Sequence, residues 1–507
     1  KHPSARWVEM IKKEFGMTDG DFSTRRDEGL SGVTLDRPPM LDPLHKERIE
    51  AIVGKPNVAD DDYSRVKYSS GKTTEELLEL RKGIVPSPCD LVVHPRNKHD
   101  VQEIVSYCHE RGIHIHTYGA GSSVTFGVRP EPGGVTLVLS THMNRVVSIS
   151  ELNQTARVQP GILGPAFEEA LRRAPELYHT KHRYTCGHFP QSFEHSSVGG
   201  WIVTLGSGQA SSYYGDAYDL VVSQEYVTPA GTLVTREFPA EATGPKLNDI
   251  MKGSEGAFGV LVEATVRIFR HMPANTRYFS FMFPSWGAAV DACREISQGE
   301  FGMPAVFRIS DPEETHRGLK LYGMPAWVDA ILRRRGLKPM ERCLFIGTAE
   351  GQRNFSANVE RQVTRICRSF GAVGLTGYPA RKWEQTRFKE PYMREDLMDF
   401  GVVIDTLETS VTWENLHRVY TGVRSYMTSR PHTMCMTHAS HFYAQGTNLY
   451  FIFLTRVDDL EEYRSFHRGI VESIVSSGGS LSHHHGVGRL FAGWMETYLG
   501  APQVDVL

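Results

Sequence analysis

The stretch Gly478-Gly479-Ser480-Leu481-Ser482-His483-His484-His485-Gly486-Val487-Gly488 sets three imidazoles between glycine-rich turns. Imidazole gains and loses protons near neutral pH, so such a run suits a catalytic pocket that steadies charge or orients a ligand. Glycine lets a backbone turn where a side chain would clash, and the spacing predicts that the histidines ride on a short extended piece of chain. Side chains alternate along an extended piece. On that geometry His483 and His485 share a face and act on one ligand, while His484 points away to pack or orient. Two other readings stay open. A His-x-His pair on a strand can chelate a metal, although no acidic or thiol ligand lies close by in sequence, and the run could be structural or on the surface. A short, internal run is not a purification tag. His432, Cys435, His438 and His441 also recur every third residue, superficially like metal ligands. They lead into the apolar run around Tyr450, where a period of three does not align side chains on one strand face, so no metal is assigned.

The elements that must hold these residues are legible from periodicity. Leu449-Tyr450-Phe451-Ile452-Phe453-Leu454 is the most strongly β-favouring run, and a helix from Leu460 to Ser476 leads to the histidines. Far upstream, Leu91-Val92-Val93 predicts a short buried strand closed by Pro95. A helix follows with Val101, Ile104, Val105 and Cys108 on one face and Gly112 as its stop. Ile113 to His116 alternates like a strand and opens into Thr117-Tyr118-Gly119-Ala120-Gly121-Ser122-Ser123-Val124. Small residues there let backbone N–H groups approach a phosphate, with serine hydroxyls as further donors. The loop is neither a Walker loop nor a dinucleotide fingerprint. Val135–Leu139 and Arg145–Ile149 read as strands, and Tyr226 to Val234 as a hairpin turning at Pro229-Ala230-Gly231. Ser196-Ser197-Val198-Gly199-Gly200-Trp201 and Gly253-Ser254-Glu255-Gly256-Ala257-Phe258-Gly259 are further small-residue patches, and three in one α+β region suggest a long ligand against backbone. Beyond Arg267, strands at Phe279–Phe283 and Leu344–Thr348 and helices at Trp286–Ile296 and Val359–Phe370 form a second sheet-plus-helix unit.

At 507 residues the chain exceeds a single core, and several domains are expected. With 56 basic and 59 acidic residues the net charge is −3, and no basic block points to nucleic acid. Seven cysteines without paired spacing favour free thiols in a reducing compartment. No apolar run reaches the length of a membrane span, and no signal peptide or initiator methionine precedes Lys1-His2-Pro3, as in a soluble or trimmed chain.

With the glycine patches and histidines in hand, the chain resembles the vanillyl-alcohol-oxidase-type FAD flavoproteins, and within them the alkyldihydroxyacetonephosphate synthases, which make the ether bond of ether lipids. The likeness runs from about Asp61 to Met495. Its sharpest points are Thr185-Cys186-Gly187-His188, Ser197 to Ile202, Gly253 to Val260, Leu407-Glu408-Thr409-Ser410 and Gly478 to Gly488. The related 2-hydroxyacid dehydrogenases carry Gly-Glu-His-Gly where this chain has His483-His484-His485-Gly486.

The resemblance implies an α+β fold: a two-subdomain FAD-binding domain of the vanillyl-alcohol-oxidase (PCMH) type plus an α+β cap. The partition expected is a helical lead-in over 1–85, the FAD domain over 86–270, the cap over 271–455 and a C-terminal segment over 456–507 that carries the histidines. FAD, held non-covalently, would touch Thr117, Tyr118, Gly119, Ala120, Gly121, Ser122 and Ser123. Gln191, Ser192, Ser196, Ser197, Gly199, Thr204, Ser207, Glu255, Gly256, Gly259, Val260 and Leu261 would complete its site. The family's acid/base tyrosine falls on Tyr450, its active-site histidines on His188, His483, His484 and His485, its phosphate-binding arginine on Arg394, and a further arginine on Arg308. The implied reaction replaces the acyl chain of acyl-dihydroxyacetone phosphate with a long-chain fatty alcohol, through a flavin N5 adduct and without net redox. An arginine fork suits the phosphate, and a tyrosine can shuttle a proton if nearby cations stabilise its phenolate.

Taken alone, Tyr450 on its apolar run reads as a core tyrosine, and Arg394 in Lys389 to Asp396 as a solvated ion pair. The runner-up activity is an FAD-dependent 2-hydroxyacid (D-lactate- or glycolate-like) dehydrogenase or oxidase; a flavin-binding scaffold is the non-enzymatic reading. A homodimer, peripheral membrane contact for lipid access, and a cytoplasmic (bacterial) or peroxisomal (eukaryotic) location are expectations. Departures from the family are Ala120 in the loop, Gln191 and His195, a weak match between Arg317 and Phe388, and an end at Leu507 before the usual terminal motif.

Overall fold

Leu91-Val92-Val93 forms a buried strand parallel to Val135–Val138, which in turn runs parallel to Ile115–Tyr118, while Val58–Ala59 pairs antiparallel on the outer side. Parallel strands need a covering helix, and Lys98–Arg111 supplies it. Asn97 caps that helix, Val101, Ile104, Val105 and Cys108 face inward, and Gly112 ends it at φ 65°. Ile113, expected in the next strand, instead donates its N–H to the Cys108 carbonyl and completes the helix stop, so the strand starts two residues late. This is a computed structural model, which describes residues 3–25, 32–389, 392–457 and 459–506. A second sheet of five antiparallel strands, ordered Val146–Ser150, Thr155–Val158, Val260–Arg267, Val221–Thr228 and Gly231–Val234, contains the expected hairpin.

Both sheets belong to a unit of Leu30–Gly208, Gly215–His271 and His484–Leu507; the other unit is Lys1–Gly29, Gln209–Tyr214 and Met272–His483. This corrects the expected lead-in of residues 1–85, which is divided. Ile11 and Phe15 of the helix Ala5–Phe15 pack with Met434, Met436 and Leu454 in the second unit, whereas Ile49 and Val53 of the helix Pro43–Val53 join the core around Leu91 and Val135 in the first. The C-terminal segment is divided too, between His483 and His484.

The second unit is built on a seven-stranded antiparallel sheet ordered Val373–Gly374, Arg277–Phe283, Cys343–Ala349, Val306–Ser310, Thr433–Tyr443, Gly446–Arg456 and Val402–Thr412. Directly opposed residues share a face. One face carries Cys435, Thr437 and Phe453 under the helices Leu416–Ser429 and Leu460–Ser476: Cys435 lies against Met427, Thr437 against Arg424 and Phe453 against Phe466. The other face is apolar at one end, where Met434, Ile452 and Ile404 meet the N-terminal helix. Further along, the register places Ser310 opposite His438, His438 opposite Tyr450, and Tyr450 opposite Glu408, so the same face turns polar.

Candidate active site

In the first unit, the strand Ile115–Tyr118 releases the glycine loop at its C-terminal end, where parallel strands leave ligand room. Among the described residues, the backbone N–H groups of Gly119 to Val124 find no backbone carbonyl partner. The loop lies so close to the helix Val198–Val203 that a Cβ on Gly119 would sit 2.4 Å from Ser197 Oγ. Such a row of unspent donors fits a pyrophosphate, so the loop suits FAD. Tyr118 ends the strand that opens into the loop. Its side chain turns inward against Tyr68, and its hydroxyl is the floor of the loop, 1.8 Å from where a Gly121 Cβ would be.

Several other expected flavin contacts use their polar groups internally. Ser197 caps the helix through the Gly200 N–H, Ser196 Oγ accepts from Trp201 Nε1, Thr204 donates to the Gly200 carbonyl, and Ser207 donates to Asp216. The N–H groups of Val198 and Gly199 go to the carbonyls of Ile162 and Pro160. Gln191 and Ser192 lie just before the short turn Phe193–His195. Gly256 turns at φ 85°, and Gly259, at φ 153°, lets the strand from Val260 and Leu261 approach the Val227 carbonyl. Glu255 has partners within its own unit. Its carboxylate, raised in pKa by burial, accepts the N–H groups of Val487 at 2.6 Å and Gly488 at 2.8 Å, and so holds the turn that follows the histidines.

His188 stands out in this unit. Its ring lies on Trp201, 4.8 Å between centroids, and both ring nitrogens are buried without a hydrogen-bond partner. Burial drives it down to about 3, so it is a neutral imidazole at physiological pH. A buried polar ring left without partners is costly unless a ligand completes it.

The polar end of the large sheet carries the second group. Arg308 forms an ion pair with Glu314 and reaches His438 Nδ1 at 3.1 Å, and the His438 ring stacks on Tyr450 with centroids 4.9 Å apart. Burial alone would raise the Glu314 carboxyl, but Arg308 brings it down to about 2, while burial and Arg308 lower His438. Tyr450 donates to Thr406 Oγ1 at 3.3 Å. Its phenol is pushed up to about 12, chiefly by burial and further by Glu408 and Asp405, with Thr406 and Arg308 pulling the other way. The phenol is therefore the resting form, and Arg308 is a cation that favours its ionisation. Arg394 sits on the helix Met393–Met398, which packs on the strand Val402–Thr412, and its Nε is buried without a hydrogen-bond partner.

The triple histidine is a bend rather than an extended piece, and its rings do not alternate. Glycine at 486 and 488, with φ of 85° and 51°, breaks the strand geometry that alternation requires. His484 and His485 pack on each other at 4.6 Å, and the His485 carbonyl accepts from Thr125. His483 goes elsewhere: its Nε2 lies 2.7 Å from the Tyr443 hydroxyl, and its N–H is taken by both oxygens of Glu408 at 3.0 and 2.8 Å. Glu408 also accepts from Ser482 Oγ and Asn448 Nδ2, each at 2.8 Å.

Glu408, Tyr443 and His438 were not singled out as site residues from sequence. His438 was set aside with the period-three group, and the period-two register that places it opposite Tyr450 was the signal that could have found it. Of its companions, Cys435 faces Met427 on the opposite side of the sheet, and His441 sits at a bulge with φ 55°.

The FAD binding domain family matches residues 88–236, and the C-terminal domain of FAD linked oxidases matches residues 272–507. The class is thus an FAD-dependent flavoprotein with a cap. The fold is that of p-cresol methylhydroxylase, whose substrate-bound crystal structure is 14% identical with a TM-score of 0.65, covering 97% of this chain and 94% of that one. The alkyldihydroxyacetonephosphate synthase of Dictyostelium discoideum is 31% identical over 492 residues, 92% of this chain and 78% of that protein. A solved alkyldihydroxyacetonephosphate synthase structure superposes with a TM-score of 0.82 at 28% identity, covering 97% of this chain and 89% of that one. The chain belongs to the alkyldihydroxyacetonephosphate synthase family, and its cofactor is FAD.

Glu408→Gln replaces an acceptor-only carboxylate with an amide that presents N–H to donors. Losing buried acceptance of this kind costs about 1–3 kcal/mol, and the expected result is a matching drop in the urea midpoint. A midpoint equal to wild type would mean that Glu408 does not hold the bend.

Proposed function

We propose that the protein catalyses exchange of the acyl chain of acyl-dihydroxyacetone phosphate for a long-chain fatty alcohol, giving the alkyl ether without net redox. The observation that carries this is the likeness to an alkyldihydroxyacetonephosphate synthase along 92% of the chain. The balance is simple: the C1–O bond to the acyl group breaks and the fatty acid leaves as its carboxylate. A C1–O bond to the alcohol oxygen forms, and the alcohol proton is released. FAD, when bound, supplies a ring system that can both accept and return electron density at the substrate carbon. Its attachment is non-covalent in this reading, since no histidine or cysteine stands in the Thr117–Ser123 loop. Acyl-for-alcohol exchange with no flavin bleaching is the deciding assay. Bleaching by D-lactate or another 2-hydroxyacid would favour the dehydrogenase reading, against which the His483-His484-His485-Gly486 sequence stands.

Arg394 is the phosphate ligand in this proposal, and its unpartnered Nε supports that role. Truncating a buried, charge-assisted contact costs about 2–5 kcal/mol when the partner keeps its charge. Arg394→Ala is expected to raise KM for the phosphorylated substrate by well over tenfold at unchanged flavin content; an unchanged KM and rate would remove Arg394 from the site.

Tyr450 moves the proton at C1, with its phenol as the proton store and Arg308 as the cation that steadies the ionised form. Proton-transfer groups contribute about 10²–10⁴-fold in rate. In Tyr450→Phe, exchange of the C1 hydrogen with solvent should nearly stop while the flavin spectrum and Tm stay close to wild type. Exchange within a factor of a few of wild type would return Tyr450 to a packing role.

A fatty alcohol resides in bilayers, and peripheral membrane contact is part of the same proposal. No helix among the described residues is long and apolar enough to cross a membrane. The helix Ala326–Arg334 keeps Leu332 in the core and leaves Trp327 67% and Ile331 44% exposed, with basic Arg334 and Arg335 at its end. An exposed tryptophan beside basic residues suits an anionic lipid surface. Co-sedimentation with phosphatidylserine-containing vesicles is expected and should fall several-fold in Trp327→Ser; retention equal to wild type would exclude this helix.

A further inference from the structure

We propose that Tyr443 is a positioning residue that fixes His483 as its Nδ1–H tautomer, so that His483 enters the reaction as a hydrogen-bond donor and not as a base. The proposal rests on the reading above that the histidine run acts in the exchange reaction. His483 is held at two points. Glu408 takes its backbone N–H, and the Tyr443 hydroxyl meets ring Nε2 at 2.7 Å. Among the described residues, groups near the ring include Tyr443 and His441, both from the strand Thr433–Tyr443, with His441 5.3 Å away between centroids, and Glu408 of the strand Val402–Thr412; His484 is the chain neighbour.

Between a phenol and a neutral imidazole the stronger arrangement has the phenol donating, because the imidazole nitrogen is the more basic acceptor and its own N–H the weaker acid. Tyr443 therefore gives its proton to the Nε2 lone pair. A neutral ring bonded in this way carries its single proton on Nδ1. At the bulge at His441 φ is 55° and the pairing register shifts, and Tyr443 follows it at the end of the strand, opposite Gly446. A donor of this kind suits the oxygen charge that builds up as the carboxylate leaves C1.

Removing the hydroxyl takes away the donor that selects the tautomer, so the ring proton can distribute between Nδ1 and Nε2. The experiment is ¹⁵N NMR of the FAD-loaded full chain with labelled histidine, with His483→Gln to assign the signal. Wild type is expected to show a protonated Nδ1 and an unprotonated, hydrogen-bonded Nε2. Tyr443→Phe should mix the tautomers and lower kcat about tenfold with KM within twofold of wild type. A protonated Nε2 in the wild-type protein, or a His483 ring in Tyr443→Phe that keeps its proton wholly on Nδ1, would overturn the assignment. Altered tautomers with unchanged kcat would leave the hydrogen bond and remove its role in the reaction. If wild type shows the expected tautomer but performs no acyl-for-alcohol exchange, the function reading fails and not the hydrogen-bond geometry.

Discussion

The buried carboxylate of Glu408 is the constraint on which the polar end of the large sheet depends. A carboxylate taken out of water must have its lone pairs satisfied, and here the donors are the His483 N–H, the Ser482 hydroxyl and the Asn448 amide. The requirement runs in both directions: the acid is tolerable only because the chain bends to it, and the bend exists because the acid needs donors. Glu255 does the same for the far end of the run through Val487 and Gly488.

The two units use different chemistry for recognition. The FAD-binding unit offers backbone: the loop after Tyr118 presents N–H groups, and hydroxyls nearby, such as those of Ser196, Thr204 and Ser207, tie the surrounding segments together. Backbone donors read charge and shape, which a nucleotide cofactor supplies. The other unit offers side chains on a rigid antiparallel sheet, where Arg308, His438, Tyr450 and Glu408 fall on one face by register. Strands hold such groups more firmly than loops do.

That face also explains why an N-terminal helix belongs to this unit. Its even-numbered positions are apolar from Val402 to Ile404 and polar from Thr406 to Ser410. The apolar part must be covered, and Ile11 and Phe15 cover it. In the polar part, Arg308 pairs with Glu314 and the His438 ring stacks on Tyr450.

The sequence by itself determined much of the architecture. The periodicity of Val101 to Cys108, the hairpin at Pro229-Ala230-Gly231, the helix Leu460–Ser476 and the glycine loop were all legible, because each depends on contacts within a few residues. The family, and with it FAD, was legible from short motifs in order along the chain. Tertiary structure decided the rest. That His483 leaves its two neighbours and joins Tyr443 and Glu408, that His438 stacks on Tyr450, and that Tyr450 rests as a phenol follow from strand register, burial and distant charges. None of these is encoded within a local window. The division of residues 1–85 between two cores has the same origin: amphipathic helices such as Ala5–Phe15 and Pro43–Val53 announce an apolar face, and only the packed structure says which sheet each face covers.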